Sequence, residues 1–232
     1  MIQLPEHIRT AIATQQPVVA LESTVIAHGL PYPHNLELAH ALETEVRTNH
    51  AVPATIGVVQ GQPTAGMSPI DIERFAQSDQ PHISKLSRRD IAYAVASQHD
   101  GATTVAATMA IAAMAGIQVF ATGGIGGVHR GARDTWDISA DLTELARTPV
   151  LIVCAGAKSI LDLPATLEYL ETLGVPVVGF GTDTFPAFYS SSSGLPAPAR
   201  ADTPSDIAKL WQEHQRFGGG SGMLVTVPPP SD

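Results

Sequence analysis

Three observations predict an α/β fold of three layers, with helices on both faces of a mainly parallel central sheet. Strand-length apolar runs alternate with helix-length segments throughout the 232 residues, which is the pattern of βαβ units. A hydrophobic share of 44% with only 5% aromatics supplies one sizeable core built from Ala, Val, Ile and Leu. The ionisable and glycine-rich residues stand just after apolar runs, at the carboxyl ends of strands, where sheets of this kind bind ligands. The chain is therefore read as a single α/β domain over residues 1–232.

Taken in order, residues 17–21 form a short apolar strand. Residues 35–49 carry Leu38, Leu42, Glu45 and Val46 at helical spacing and predict a helix with one face apolar near its start. A second strand covers 54–59, and 68–75 form a short helix with acidic residues in its first turns. Residues 88–97 are helical with Ile91, Ala94 and Val95 turned inward. The Ala-rich stretch 107–115 predicts a buried helix stopped by Gly116, followed by a strand over 117–121. A helix over 140–146 leads into the strand 150–154. A helix over 159–172, closed by Gly174, leads into the strand 175–180. The last helix covers 204–217 and the last strand 223–227. Ser190 to Ser193 and Pro228 to Pro230 read as a mobile loop and a terminus, and no internal repeat is present.

A net charge of −9 excludes a general nucleic-acid or anionic-membrane surface, because no basic excess is available to displace counterions from phosphates. Positive charge is local instead. Lys85, Arg88 and Arg89 form one cluster, and His129, Arg130 and Arg133 another, which suits a small anion better than a polyanion. The one cysteine, Cys154, has no internal disulfide partner and points to a reducing compartment. Glu6, His7 and Arg9 interrupt any leader pattern, and no apolar run reaches the ~18 residues that a membrane span needs. A cytoplasmic protein follows as the expectation.

Lys158 is one of only three lysines, and it ends the apolar run that begins at Pro149. A strand closing on Gly156-Ala157-Lys158-Ser159 carries an amine to the rim of a sheet with little bulk around it. A dry setting there favours the neutral amine, the form that attacks a carbonyl and builds a Schiff base. The competing reading is an exposed lysine that opens a helix. Glu22 leaves the first strand into Ser23-Thr24. A carboxyl at an apolar strand end serves as a proton donor, or it ties down the turn through backbone amides.

Residues 121–131, ATGGIGGVHRG, hold five glycines whose amides are free to line an anion nest. The same glycines also suit a plain crossover loop. The run is neither a dinucleotide fingerprint, since His129 stands where a third glycine belongs, nor a Walker loop. Asp137 and Asp141, four residues apart, share a face if helical and offer oxygen ligands for Mg²⁺ or Mn²⁺. Alternatively Asp137 or Ser139 caps a helix and Asp141 favours its dipole. A lone cysteine argues against structural zinc. His28 and His129 remain candidates for acid, base or phosphate contact, and no nucleophile elbow or triad pattern appears.

Nine stretches in series resemble the pseudouridine-5'-phosphate glycosidase family, also called the pseudouridylate synthase or indigoidine synthase A-like family. They are LESTVIAHGLPYPHNLE, VPATIGVVQGQ, ISKLSRRDI, GATTVAATM, VFATGGIGGVHRGA, DISADL, VCAGAKSILD, TLEYLETLGVPVVGF and TDTFPAFYSSSSG. The resemblance implies cleavage of pseudouridine 5'-phosphate to uracil and ribose 5-phosphate, with a divalent cation, usually Mn²⁺, in a cytoplasmic homotrimer. It implies Lys158 as Schiff-base nucleophile and Glu22 as proton donor. Lys85 and Val105 match substrate-contacting positions, as do Ser139, Ala140 and Asp141. Asp137 matches the metal carboxylate. Beside what the resemblance implies, the local positive charge makes Lys85 and the His129-Arg130 loop the expected phosphate partners. No nucleic-acid polymer and no membrane is implied as a partner.

The chain departs from the family pattern in two places. Family members continue past residue 232 with a largely helical region that contributes an asparagine to the site, and its loss is expected to expose apolar surface. Ser191 stands where an arginine is usual. Two other function classes therefore stand beside the glycosidase: a non-catalytic sugar-phosphate or nucleotide binder, and a lysine-dependent aldolase acting on another sugar phosphate. Uracil release separates the first reading from the other two.

Overall fold

The computed structural model describes residues 2–77, 83–217 and 220–230. The fold is α/β with mainly parallel strand pairing, as the alternation of segments predicts. Cα packing divides it into two compact units, Met1–Phe120 and Ala121–Asp232.

The first unit runs α1 (Glu6–Ala13), β1 (Val18–Leu21), α2 (Thr24–His28), α3 (His34–Thr48), β2 (Val52–Val59), β3 (Gln62–Ala65), α4 (Pro69–Ala76), β4 (Ser84–Leu86), a 3-10 turn (Arg88–Asp90), α5 (Ile91–Ala96), β5 (Gly101–Thr103) and α6 (Val105–Ala115). β2 is the organising strand. β1 pairs in parallel with its first half, from Val18↔Val52 to Leu21↔Thr55. β5 runs the opposite way against its second half, with Ala102 opposite Gly57. β4 lies parallel to β5, with Lys85 opposite Ala102. The carboxyl ends of β1 and β5 therefore meet near Ile56, and β4 delivers Lys85 alongside β5.

The core of this unit is aliphatic. Ile26, Ala39, Met67, Ile72, Phe75, Ala76 and Ala102 form one buried cluster, and each large side chain there contributes about 1.5–3 kcal/mol by leaving water. α6 is buried on nearly every side, from Val105 through Ala112. Thr104 caps its start and Gly116, at φ 81, ends it. Asn35 is buried and clamps two segments. Its amide donates to the carbonyls of Ile26 and Ala76, both at 2.7 Å.

After β6 (Val119–Ala121), the second unit runs α7 (Ala132–Thr135), α8 (Ala140–Leu145), β7 (Leu151–Cys154), α9 (Leu163–Thr172), β8 (Val177–Phe180), β9 (Ala199–Ala201), α10 (Pro204–Arg216) and β10 (Met223–Thr226). Four of these strands form the all-parallel order β7-β10-β8-β9. Buried Leu142, Leu145, Ile152, Leu170, Phe185 and Leu224 fill its core.

Several expectations are corrected. In α3 the buried face is Asn35, Ala39 and Glu43, while Leu42 is exposed. The carboxylate of Glu43 is tolerated inside because Thr55 Oγ1 donates to it at 2.7 Å and Arg47 Nη2 at 2.8 Å. In α5 Ala94 is buried but Val95 is exposed. The helix expected over 159–172 starts at Leu163, where Asp162 caps it by accepting from Ala165 N–H at 3.1 Å and Pro164 fits the first turn. The serine run 190–193 is a bonded turn: Ser193 Oγ donates to Phe185 O at 2.6 Å and Ser190 Oγ to Ser192 O at 2.9 Å.

Candidate active site

In the first unit Glu22 follows β1 directly and is half-buried. Its neighbour Ser23 is fully buried and bonded to Thr103, which fixes the turn against the end of β5. Thr24 Oγ1 is buried and has no hydrogen-bond partner among the described residues. Val105 opens α6 and is buried, so what it presents at the helix start is chiefly its backbone. Lys85 is exposed on β4. His28, at the end of α2, senses it. Burial first, and then the positive charge of Lys85, hold the imidazole below its ordinary range, against a hydrogen bond with the backbone of Ile83. Two basic side chains thus adjoin beside the ends of β1, β4 and β5.

In the second unit the glycine-rich run is not an open nest of amides. It is an extended segment woven between two others. Ile125 N–H donates to Gly156 O at 3.0 Å, and Lys158 N–H returns to Ile125 O at 3.2 Å. Gly126 N–H donates to Asp141 Oδ2 at 2.8 Å. Val128 N–H donates to Thr166 Oγ1 at 2.9 Å, and His129 N–H to Asp137 O at 3.0 Å. The glycines serve close approach. A Cβ on Gly126 would stand 2.6 Å from Ser139 Cβ, and one on Gly127 2.9 Å from Thr166 Cγ2. Gly156 turns the chain at φ 88, against the backbone of Pro186.

This weave sets the side chains that the sequence singles out. Lys158 is exposed, on the turn between β7 and α9, so neither a dry strand end nor a helix start describes it. The chain turns at Gly156, Ala157 is the last buried residue, and the amine lies beyond it. Asp137 and Asp141 do not share a helix face. Asp137 precedes α8, beside the bridge pair Val128–Ile138, and is exposed. Ser139 caps α8 by accepting from Asp141 N–H at 3.2 Å, and the Asp141 carboxylate is buried against Gly126. Ala140 is the exposed first residue of α8. Asp137 instead pairs with His129, its Oδ2 3.7 Å from Nδ1. Arg130 is exposed, with Nη2 3.5 Å from Ser159 O.

Among the described residues no three His, Cys, Asp or Glu side chains gather where they could hold a metal. The His129–Asp137 pair offers one imidazole and one carboxylate, both with open faces. That donor set fits a divalent cation that keeps most of its water, and it does not fit a cation caged by protein alone.

Sequence reasoning passed over two supports. Thr166, fully buried, holds Val128 and donates to Asp162 O at 2.7 Å, coupling the glycine-rich segment to the α9 cap. Phe188, at φ 63, lies on Gly123 and Gly124 and donates its N–H to Ala155 O at 2.8 Å. The glycine pairs were the available signal, since each marks a place where another segment approaches closely. Trp136, Ile160 and Tyr189 of this unit are exposed.

Each unit places polar residues directly after a parallel strand, Glu22 after β1 in the first and the turn that carries Lys158 after β7 in the second, the position at which α/β proteins bind small molecules. The chain belongs to the indigoidine synthase A-like family, whose sequence profile, described as indigoidine synthase A like protein, matches residues 7–232. It is 66% identical over 230 residues to a pseudouridine-5'-phosphate glycosidase of Roseiflexus sp. (strain RS-1), covering 99% of this chain and 73% of that protein. It is 65% identical to the Herpetosiphon aurantiacus pseudouridine-5'-phosphate glycosidase, again over 99% of this chain and 75% of the relative. Among solved structures it resembles the prealnumycin C-glycosynthase AlnA in complex with ribulose 5-phosphate. The TM-score is 0.91 at 45% identity, over 98% of this chain and 73% of that one. An indigoidine synthase A-like protein of Thermotoga maritima gives 0.89 at 35% identity, over 99% and 75%. No helix among the described residues is long and apolar enough to cross a membrane.

Proposed function

We propose that this chain is a pseudouridine-5'-phosphate glycosidase, cleaving the C-glycosidic bond to give uracil and ribose 5-phosphate. The observation that carries the reading is the 66% and 65% identity, over nearly the whole chain, to relatives bearing that name. The likeness to a C-glycosynthase solved with a pentulose phosphate supports a site for sugar phosphates.

The chemistry asks for an electron sink, because the bond to be broken is C–C and no leaving oxygen is available to protonate. In this reading Glu22 gives its proton to the ribose ring oxygen as the C1'–O bond opens. The amine of Lys158 forms a bond to C1' and loses a proton, which restores its lone pair. The nitrogen lone pair then forms C1'=N⁺ while the C1'–C bond to uracil breaks and the base carbon takes a proton. Water releases ribose 5-phosphate and regenerates the amine. Its exposure leaves Lys158 accessible to a substrate carbon.

Lys85, with the amides at the start of α6 near Val105, supplies the positive setting a phosphate needs. Arg130 adds positive charge in the second unit, with His129 beside it, and Ser139, Ala140 and Asp141 follow as substrate contacts. Asp137 with His129 would hold Mn²⁺ or a similar cation, which supplies a fixed positive charge for substrate oxygens. A homotrimer, acting on a small nucleotide in the cytoplasm, completes the reading.

The test pairs two measurements. Mixing pseudouridine 5'-phosphate, Mn²⁺ and protein is expected to release uracil, read by absorbance. Borohydride with ribose 5-phosphate is expected to leave a reduced adduct on Lys158, read by peptide mass spectrometry. Folded protein that releases no uracil refutes the activity. Release without an adduct on Lys158 refutes the covalent route.

A further inference from the structure

We infer that Ser23, Thr103 and Thr108 are positioning residues for the reaction proposed above, a buried chain of hydroxyls that locks the Glu22 turn to the start of α6; the inference rests on that reading.

All three side chains are fully buried. Thr103 is the hub. Its hydroxyl lies 2.7 Å from Ile56 O, and that carbonyl can only accept, so the Thr103 proton goes there. The oxygen then accepts twice. Thr108 donates to it at 2.9 Å, and Ser23 Oγ, 3.3 Å away, must be the donor in that pair. Ser23 Oγ in turn accepts from Thr103 N–H at 2.9 Å. Each proton direction is thus fixed, and the Thr103 hydroxyl uses its one donor and both lone pairs.

The network sits where a small error matters most. β1 and β5 arrive from opposite directions along β2, and their carboxyl ends meet at Ile56. Glu22 is the residue before Ser23, and Thr104, the cap of α6, with Val105 follows Thr103 directly. The proton donor and a substrate-contacting segment are therefore tied together through side chains that themselves face no ligand. Strand pairing alone does not hold this junction, since β1 ends at Leu21 and β5 at Thr103. A saturated network in a dry setting admits one geometry, because any shift leaves a polar group unpaired.

Thr103→Val and Thr103→Ser separate this role from core filling. Valine keeps the shape and loses the hydroxyl; serine keeps the hydroxyl and loses a methyl. Positioning predicts a kcat fall on the order of 100-fold for T103V, the scale of a 1 Å misplacement, with KM changed far less. It predicts that T103S stays within about fivefold of the parent kcat. T108V, which leaves one lone pair of the Thr103 hydroxyl unfilled while its bonds to Ser23 and Ile56 remain, is expected to lower kcat by a smaller factor than T103V. S23A is expected to lower it as T103V does, and it replaces T103V if the valine variant does not fold. If folded T103V keeps kcat within about threefold, or T103S falls as far as T103V, the role is core filling and the inference is overturned.

An inactive parent protein would refute the glycosidase reading and leave this one readable from crystal structures. Displacement of residues 22–24 by on the order of 1 Å in T103V and not in T103S supports the positioning role. An unmoved turn overturns it.

Discussion

Gly126 donates its backbone N–H to Asp141 Oδ2 at 2.8 Å, and the approach leaves no room for a side chain at position 126. The carboxylate is buried, so the contact is a charge-assisted bond shielded from water. An added Cβ would press on Ser139 Cβ at 2.6 Å and on the accepting oxygen at 2.9 Å. Gly126→Ala is therefore expected to destabilise the protein by about 1–3 kcal/mol through overpacking. Asp141→Asn keeps an acceptor without the charge and is expected to cost about 1 kcal/mol. Urea unfolding of the two variants checks both the order and the sizes.

The His129–Asp137 pair predicts a specific dependence on divalent cation. The two side chains approach at 3.7 Å and are substantially exposed, so neither contributes much to folding. Asp137→Ala and His129→Ala are expected to raise the Mn²⁺ concentration needed for half-maximal uracil release by about 10–100-fold, the scale of a lost ligand contact. Their thermal midpoints in metal-free buffer are expected to match the parent. A chelator should abolish activity in the parent and excess Mn²⁺ should restore it. Equal Mn²⁺ requirement in parent and variants would remove these two residues from the cation site.

Lys158 gives a prediction in which stability and activity separate. Because the side chain is exposed on a turn, its truncation removes no core packing. Lys158→Ala is expected to unfold at the parent's urea midpoint while its rate of uracil release falls by ~10³-fold or more, the scale of losing a covalent nucleophile. Lys158→Arg, which keeps the charge but not the nucleophilic amine, should be equally slow. Recovery of rate in the arginine variant would mean that position 158 supplies charge and not a bond.

Acid stability reads a third relationship. Burial raises the Asp100 carboxyl, but hydrogen bonds from the Arg74 guanidinium and Gln60 N–H, with the charge of Arg74, more than offset this and hold it below its ordinary 3.8. A carboxyl depressed in the fold stabilises the protein above its unfolded value and loses that contribution as pH falls through the lower folded value. Asp100→Asn is therefore expected to be less stable than the parent at pH 6 by about 1–2 kcal/mol, after allowing for the partial exposure of Arg74. The gap should close progressively below about pH 4. Urea midpoints at pH 6 and pH 3 decide it, and a constant gap would show that the loss is packing.

Much of this fold is legible because its longer strands are runs of apolar residues that nothing but a sheet interior accommodates. The stretches LIVC and MLVT needed no partner to be read as strands. β4, β5 and β9, three residues each, were not legible. Ser84-Lys85-Leu86 has no pattern of its own and is extended because β5 lies beside it. The same limit applied to the site. Glycines in series suggest freedom, yet here the amides of Ile125, Gly126 and His129 in their segment bond to Gly156, Asp141 and Asp137, and the glycines' missing side chains admit Ser139, Thr166 and Phe188. Which neighbour approaches a glycine is decided by tertiary packing, and spacing along the chain does not carry it. Asp137 and Asp141 fall on different structures for a local reason that one of the two sequence readings carried: Ser139, a strong cap, starts α8 between them.

Asn35 is the residue whose loss should be felt most in the first unit. It is buried at the start of α3, where its side-chain amide donates to Ile26 O and Ala76 O at 2.7 Å while its Oδ1 accepts from Leu36 N–H at 2.9 Å. One side chain thereby satisfies carbonyls at the middle of α2 and the end of α4, which have no apolar substitute for a donor. Asn35→Ala leaves both carbonyls buried without that partner and opens a small void, so a loss of about 2–4 kcal/mol is expected. Asn35→Asp keeps the volume but turns two donors into acceptors facing carbonyls at 2.7 Å, which makes it the worse change above its carboxyl range and a milder one when protonated. Unfolding midpoints for the aspartate variant should therefore rise on going from pH 7 toward pH 5 relative to the parent. A variant as stable as the parent at pH 7 would show that α2 and α4 are held by their apolar faces alone.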